Sequence, residues 1–231
     1  MMVSEVKNEL WPIDERQAIE LQNQWRDRII TESGFGEIKT VAGVETAYNI
    51  HEKLIFAAVV VMTFPDLKPI GQSFSSGTAQ FPYIPGLFAF REGPAIIDAF
   101  SRLKTDPDLV IFAAHGIAHP RRFGMASHLG PLLNKPTIGC ARKNLVGQYD
   151  MPRQDRSETA PLYFANMEVG RVYRTRGNVK PVFISPGHLI SLEDSVFYVS
   201  ACLRGYRLPE PLRAAHQLAN YLKRGEDHQV S

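Results

Sequence analysis

The chain has 231 residues, 44% of them hydrophobic, which suits one large domain or two small ones and is close to the globular average. Its formal net charge of +2 excludes the global basic field that by itself would announce a nucleic-acid binder. The segment MMVSEVKNELW has no signal-peptide core, no apolar run approaches membrane-spanning length, and Cys140 and Cys202 lack metal-ligand spacing. These features predict a cytoplasmic protein, away from membranes, with two reduced and buried thiols.

In chain order, Asp14 is placed to cap a helix whose apolar positions Ala18, Ile19, Leu21, Trp25, Ile29 and Ile30 recur at helical spacing, with Gly34 and Gly36 ending it at about residue 33. Nothing in that helix suggests chemistry. Strands at 39–47, 53–64 and 70–79 follow, joined by short connections that imply antiparallel pairing, the first through a turn at Asn49-Ile50-His51-Glu52. Residues 80–86 form a proline-stiffened loop, and a helix runs from about Gly93 to Leu103.

The run Leu109-Val110-Ile111-Phe112-Ala113-Ala114 has no alternation and reads as a strand at 108–114 buried on both faces. It breaks into a loop with His115, Gly116, His119, Arg121 and Arg122, and the carboxyl end of such a strand is where sites gather in α/β folds. A helix near 125–133, a strand at 137–140 and strands at 163–165, 168–174 and 182–184 come next, with Gly177-Asn178 as a turn. Ser191 and Asp194 open a helix in capping-box style, and a last helix follows Pro209 to about Arg224 before a polar tail that should fray. The pattern is a mixed α/β sheet flanked by helices, read as a single domain over 1–231.

Local basic clusters lie at Arg121-Arg122, Arg142-Lys143 and between Arg171 and Lys180, where Arg174 and Arg176 sit. Taken alone, each is an ordinary solvated face. Taken alone, Glu45 is an exposed strand residue, Glu92 a helix-terminal carboxylate favoured by the macrodipole, and His216 a surface histidine.

Six blocks change that weighting: VAGVETAY at 41–48, PYIPGLFAFREGPAI at 82–96, HGIAHPRRFGMASHLG at 115–130, PTIGCARKNLVG at 136–147, and SPGHLISLEDSV and GYRLPEPLRAAH nearer the end. In type, order and spacing they resemble the endonuclease V family, which nicks nucleic acid near deaminated adenine. The resemblance implies a ribonuclease H-like fold with a three-stranded antiparallel meander. It implies DNA or RNA partners, among them inosine-containing strands, a Mg²⁺ or Mn²⁺ cofactor, and a monomer. It also implies roles. Glu45, Glu92 and His216 would stand at the acidic site, the two glutamates as metal ligands, with His119, His128 and Arg142 near the scissile phosphate. Pro82, Tyr83, Ile84 and Pro85 would form a wedge. Gly86, Leu87 and Gly116 would line a pocket that reads the extruded base through main-chain groups. Arg121 and Arg122 would hold phosphates or brace the acids. Asp108 would be structural.

The departures from the family pattern fall together. Glu45 replaces an aspartate, moving the carboxylate by about 1.5 Å. Ala113 stands where the family has its central-strand aspartate, and Ala114 where glycine is usual. A methyl ligates no cation, and Mg²⁺ requires near-ideal octahedral oxygen geometry. The expectation is a nucleic-acid-binding member whose cleavage is weak or lost. The alternatives are an active enzyme with a rearranged metal site, or an interaction protein that keeps only the fold.

Overall fold

A computed structural model of the chain describes residues 11–12, 14–49 and 53–225. The predicted turn residues 50–52 and the tail beyond Gly225 lie outside that range. Asp14 caps α1 (Glu15–Trp25) by accepting from the Gln17 N–H at 3.1 Å. The helix ends eight residues before the predicted position. A 3₁₀ turn at Arg26–Arg28 closes it, and Ile29 is extended. The β-branched run Ile29-Ile30-Thr31 favours extended backbone, and the Ile30 N–H turns to His188 Nδ1 at 3.4 Å.

The sheet has eight strands in the order β3-β2-β1-β4-β5-β8-β7-β6. The meander is β1 (Thr40–Asn49), β2 (Leu54–Thr63) and β3 (Pro69–Thr78), antiparallel throughout. Next come α2 (Phe88–Ser101) and β4 (Leu109–Phe112), which pairs parallel to β1 with Val44 opposite Phe112. Then α3 (Met125–Leu133) leads to β5 (Thr137–Ala141), parallel to β4. The strands β6 (Thr159–Phe164), β7 (Met167–Tyr173) and β8 (Val182–His188) pair antiparallel beyond β5, and α4 (Leu192–Ala201) and α5 (Glu210–Lys223) complete the chain. The meander and the mixed sheet are as expected. β6 begins four residues before the predicted 163 and β8 runs four residues past the predicted 184, and α2 begins five residues before Gly93: Gly93-Pro94 reads as a helix start, but Pro94 lies inside the helix. Gly93 is small because a Cβ there would sit 2.4 Å from the Trp11 ring.

Cores on both faces explain the apolar central strands. On one face, Val41, Leu109, Ile111 and Ile138 pack against Leu212 and Ala215 of α5. On the other, Ala42, Val44, Val110 and Phe112 pack against Ile96 of α2 and Ala126 and Leu129 of α3. The strand period of two therefore sends Glu45 toward α5 and Thr46 toward α2. Gly43 lets the start of α5 touch β1, since a Cβ there would lie 2.2 Å from the Pro211 backbone. That contact brings His216, farther along α5, beside Glu45. Cys140 and Cys202 are free and fully buried in the first core, and burial pushes both thiols up to about 12.

Candidate functional site

Beyond the carboxyl end of β4 lies a cavity of about 560 Å³. Tyr83, Pro85, Gly86 and Phe88 form one wall, Glu92, Ala113, Ala114 and His115 the floor, and Arg142 and Lys143 the opposite rim. It lies where the strand-end rule placed a site.

Two carboxylates approach each other from opposite faces of β1, Glu92 at the floor of the cavity and Glu45 at a small void beside Glu92 and Ala113. Glu92, on α2, is half-buried, and its Oε2 accepts from the Thr46 hydroxyl at 2.7 Å. Desolvation pushes its carboxyl above the usual range, while the Thr46 hydroxyl and Arg91 pull the other way. Glu45 accepts from Arg142 Nη2 at 3.1 Å, and its other oxygen lies 3.6 Å from His216 Nδ1. The same Arg142 nitrogen is 3.0 Å from His216 Nδ1. The ion pair favours a charged Glu45, but burial outweighs it and Glu92 adds repulsion, so the carboxyl is pushed up to about 7. Between Glu45, Thr46, Glu92 and Ala113 is a void of about 20 Å³, room for about one water.

The divalent cation that the resemblance implies does not fit these residues. Among the described residues no group of three His, Cys, Asp or Glu side chains comes together to hold a metal ion. The Ala113 methyl ligates nothing, and Glu45 is already paired with a guanidinium. Asp108 serves the fold instead: its Oδ2 accepts from the Lys39 N–H (2.9 Å), the Thr40 N–H (2.9 Å) and the Thr40 hydroxyl (2.8 Å). Desolvation raises its carboxyl, and these hydrogen bonds outweigh that and hold it below its usual value.

The other expected residues divide. Tyr83 stands out from the loop at 70% exposure, its ring 4.8 Å from that of Phe88. Pro82 and Pro85 are also exposed, while Ile84 is half-buried and packs toward α1. Gly86 faces the cavity with φ +82. Leu87 and Gly116 do not line it, and their main chains are already engaged: the Leu87 N–H donates to the Ile84 carbonyl, and the Gly116 N–H to the Ser185 hydroxyl at 2.9 Å. His119 lines the cavity but is pinned. Its Nδ1 accepts from the Arg121 N–H at 3.2 Å, and its Nε2 lies 2.8 Å from the Gly86 carbonyl, which assigns the proton to Nε2. Burial and the nearby Arg121 pull it down to about 3.

His128 lies away from the cavity. It is fully buried, stacked on Trp11 at 5.2 Å and flanked by Trp25, Phe90 and Phe123. Arg121 points inward to Gln22 and Gly86, and Arg122, at φ +52, reaches the Met167 sulfur at 3.3 Å. Neither braces the acids; Arg142 does. Arg174, from the basic run, is buried and tied to the carbonyls of Arg153, Val179 and Pro152. Arg171 pairs with Glu168 at 2.8 Å.

Sequence reasoning missed Gln22, Thr46 and Arg207. Thr46 follows Glu45 on a strand buried on both faces, and that alternation was the available signal. Arg207 supports Arg142 by donating to its carbonyl at 2.7 Å; it lies in the GYRLPEP block. Gln22 gave no signal, being one polar residue on an amphipathic helix.

The endonuclease V family model matches residues 23–217. The endonuclease V of Roseiflexus sp. (strain RS-1) is 46% identical over 211 residues, covering 91% of this chain and 94% of that one. The crystal structure of endonuclease V from Streptomyces avermitilis aligns with a TM-score of 0.87 at 38% identity, covering 94% of this chain and 96% of that chain. The endonuclease V of Ciona intestinalis, solved in complex with a 24mer DNA containing an inosine followed by a ribo-adenosine, aligns with a TM-score of 0.78. It covers 93% of this chain and 100% of that one, and at 24% identity it speaks for the fold alone. The shared fold is the ribonuclease H-like one.

Proposed function

The chain belongs to the endonuclease V family, and from that premise we propose that it binds DNA or RNA strands at inosine while cleaving them weakly or not at all. The family reaction hydrolyses a phosphodiester with a divalent cation, Mg²⁺ or Mn²⁺, held by acidic side chains. The single observation that carries our reading is Ala113. It takes the place of a ligand on the floor of the cavity, between two carboxylates of which one is occupied by Arg142. Such a set supports no step of metal-assisted hydrolysis.

What remains is suited to holding a strand. Tyr83, between two prolines that restrict the loop, is a flat aromatic able to enter a base stack and fill the space an extruded base leaves. Unstacking costs a few kcal/mol, so a tip that is already ordered loses little entropy on insertion. The cavity behind it accepts the base beside Gly86. Arg142 and Lys143 on the rim present positive charge to a phosphate, and the main-chain support from Arg207 keeps Arg142 in place. Binding of this kind needs one copy of the chain, and we read the protein as a monomer acting in the cytoplasm.

The test is incubation of the purified protein with inosine-containing DNA and RNA in Mg²⁺ or Mn²⁺. Cleavage should be lower than that of a family member with its full acid set by at least roughly a thousandfold, about 4 kcal/mol of barrier. Ala113→Asp combined with Glu45→Asp should raise it. Turnover of wild type comparable to such a member would mean a rearranged but working metal site. Binding without any preference for inosine would mean an interaction protein that keeps only the fold.

A further inference from the structure

We propose that Gln22 is a positioning residue that sets how strictly the cavity distinguishes inosine from an ordinary base; the inference rests on the reading of the cavity above. Gln22 comes from α1 and is 1% exposed. Its Nε2 donates to the Gly86 carbonyl at 3.0 Å and to the Phe123 carbonyl at 3.1 Å. Its Oε1 accepts from Arg121 Nε. With donors and acceptor both used, the amide has one orientation. A single side chain thus fastens the loop of 82–87 to the segment of 119–123.

The Gly86 oxygen is the centre of the arrangement. Besides Gln22 it receives Arg121 Nη2 at 3.0 Å and His119 Nε2 at 2.8 Å. Three donors on one oxygen hold a peptide that already needs positive φ. The rest of α1 attaches by apolar contacts, with Ala18, Ile19 and Leu21 against Phe81, Leu87 and Ile84. Packing alone would be served by leucine or methionine at position 22. A buried amide there is costly unless all its bonds are made, and here they are.

The consequence is selective. A cavity whose wall includes Gly86 discriminates between bases only while that wall cannot shift to suit the wrong one. Affinity for any strand comes mostly from phosphate contacts, which carry no sequence information. Loosening Gly86 therefore erodes preference and leaves general binding in place. A merely structural Gln22 would instead weaken both strands together, or neither.

The experiment measures equilibrium binding of an inosine-containing DNA strand and its adenosine-containing match, in EDTA so that neither is cut, with the melting temperature taken in parallel. For Gln22→Met, Kd for the inosine strand should rise about tenfold, and Kd for the adenosine strand should stay within about twofold. Gln22→Glu is the second variant. It keeps an acceptor for Arg121 but offers no N–H to the two carbonyls, and it should lose the same preference should the methionine variant not fold. A folded variant that keeps the wild-type ratio, or weakens both strands equally, overturns the inference and leaves the cavity reading intact. A wild-type protein with no preference removes both.

Discussion

His128 carries the clearest physical signature of any single residue. Neither ring nitrogen has a hydrogen-bond partner among the described residues, and aromatic rings surround it. Burial holds it neutral, down to about 3 against an ordinary 6.5. In the unfolded chain the same ring takes up a proton as pH falls through about 6.5, so the unfolded state binds more protons between about 6.5 and 3 and stability decreases as the pH is lowered through that window. We predict that the melting temperature drops on acidification across that range and that His128→Phe drops less. An unchanged slope in the variant would refute it. The motif places this histidine within a family block, but it cannot show the cage: Trp11 and Trp25 come from the far end of the chain, and no local pattern links them to residue 128. Ala113 is the opposite case. That it offers no ligand follows from its own side chain and needs no knowledge of the fold; the loss of cleavage is our proposal.

At the scale of elements, our proposal gives the exposed loop of 82–85 the first contact with a strand. Tyr83→Ala removes the exposed ring and leaves the buried anchor of Ile84, Gly86 and Leu87. It should reduce the preference for inosine strands several-fold with little change in melting temperature, because Tyr83 buries little surface. Binding titrations against matched strands check this, and an unchanged ratio would contradict it.

The elements themselves were legible to different degrees. The strand β2 and the central strand announce themselves through β-branched and apolar runs. The last helices do so through Ser191, whose hydroxyl accepts from the Asp194 N–H, and through Pro209 at the start of α5. The start of α2 was misread because Gly93 answers to Trp11 rather than to a helix boundary. The end of α1 was misread because apolar spacing continues past Trp25 into residues that prefer extended backbone. Gln22 was invisible for a related reason: its partners lie 64, 99 and 101 residues away.

Over the whole molecule, one sheet places the two halves of the site side by side. The parallel strands β1 and β4 bring Glu45 and Ala113 to a single end, α2 adds Glu92 there, and the loops that leave this end form the cavity. Glu45 is on β1 itself, so Glu92 reaches it only with α2 seated and His216 only with α5 seated. The loss of one carboxylate does not disturb that seating: Ala113 packs against the core and its N–H donates to the Val44 carbonyl at 3.0 Å. On our proposal, the scaffold grips a strand without needing a carboxylate at position 113. The most direct measurement captures an inosine-containing strand on the protein in Mg²⁺ and then examines that same strand on a denaturing gel. The account predicts a strand bound more tightly than its adenosine match and recovered intact. A strand recovered cut, at the rate of a family member with its full acid set, would contradict it.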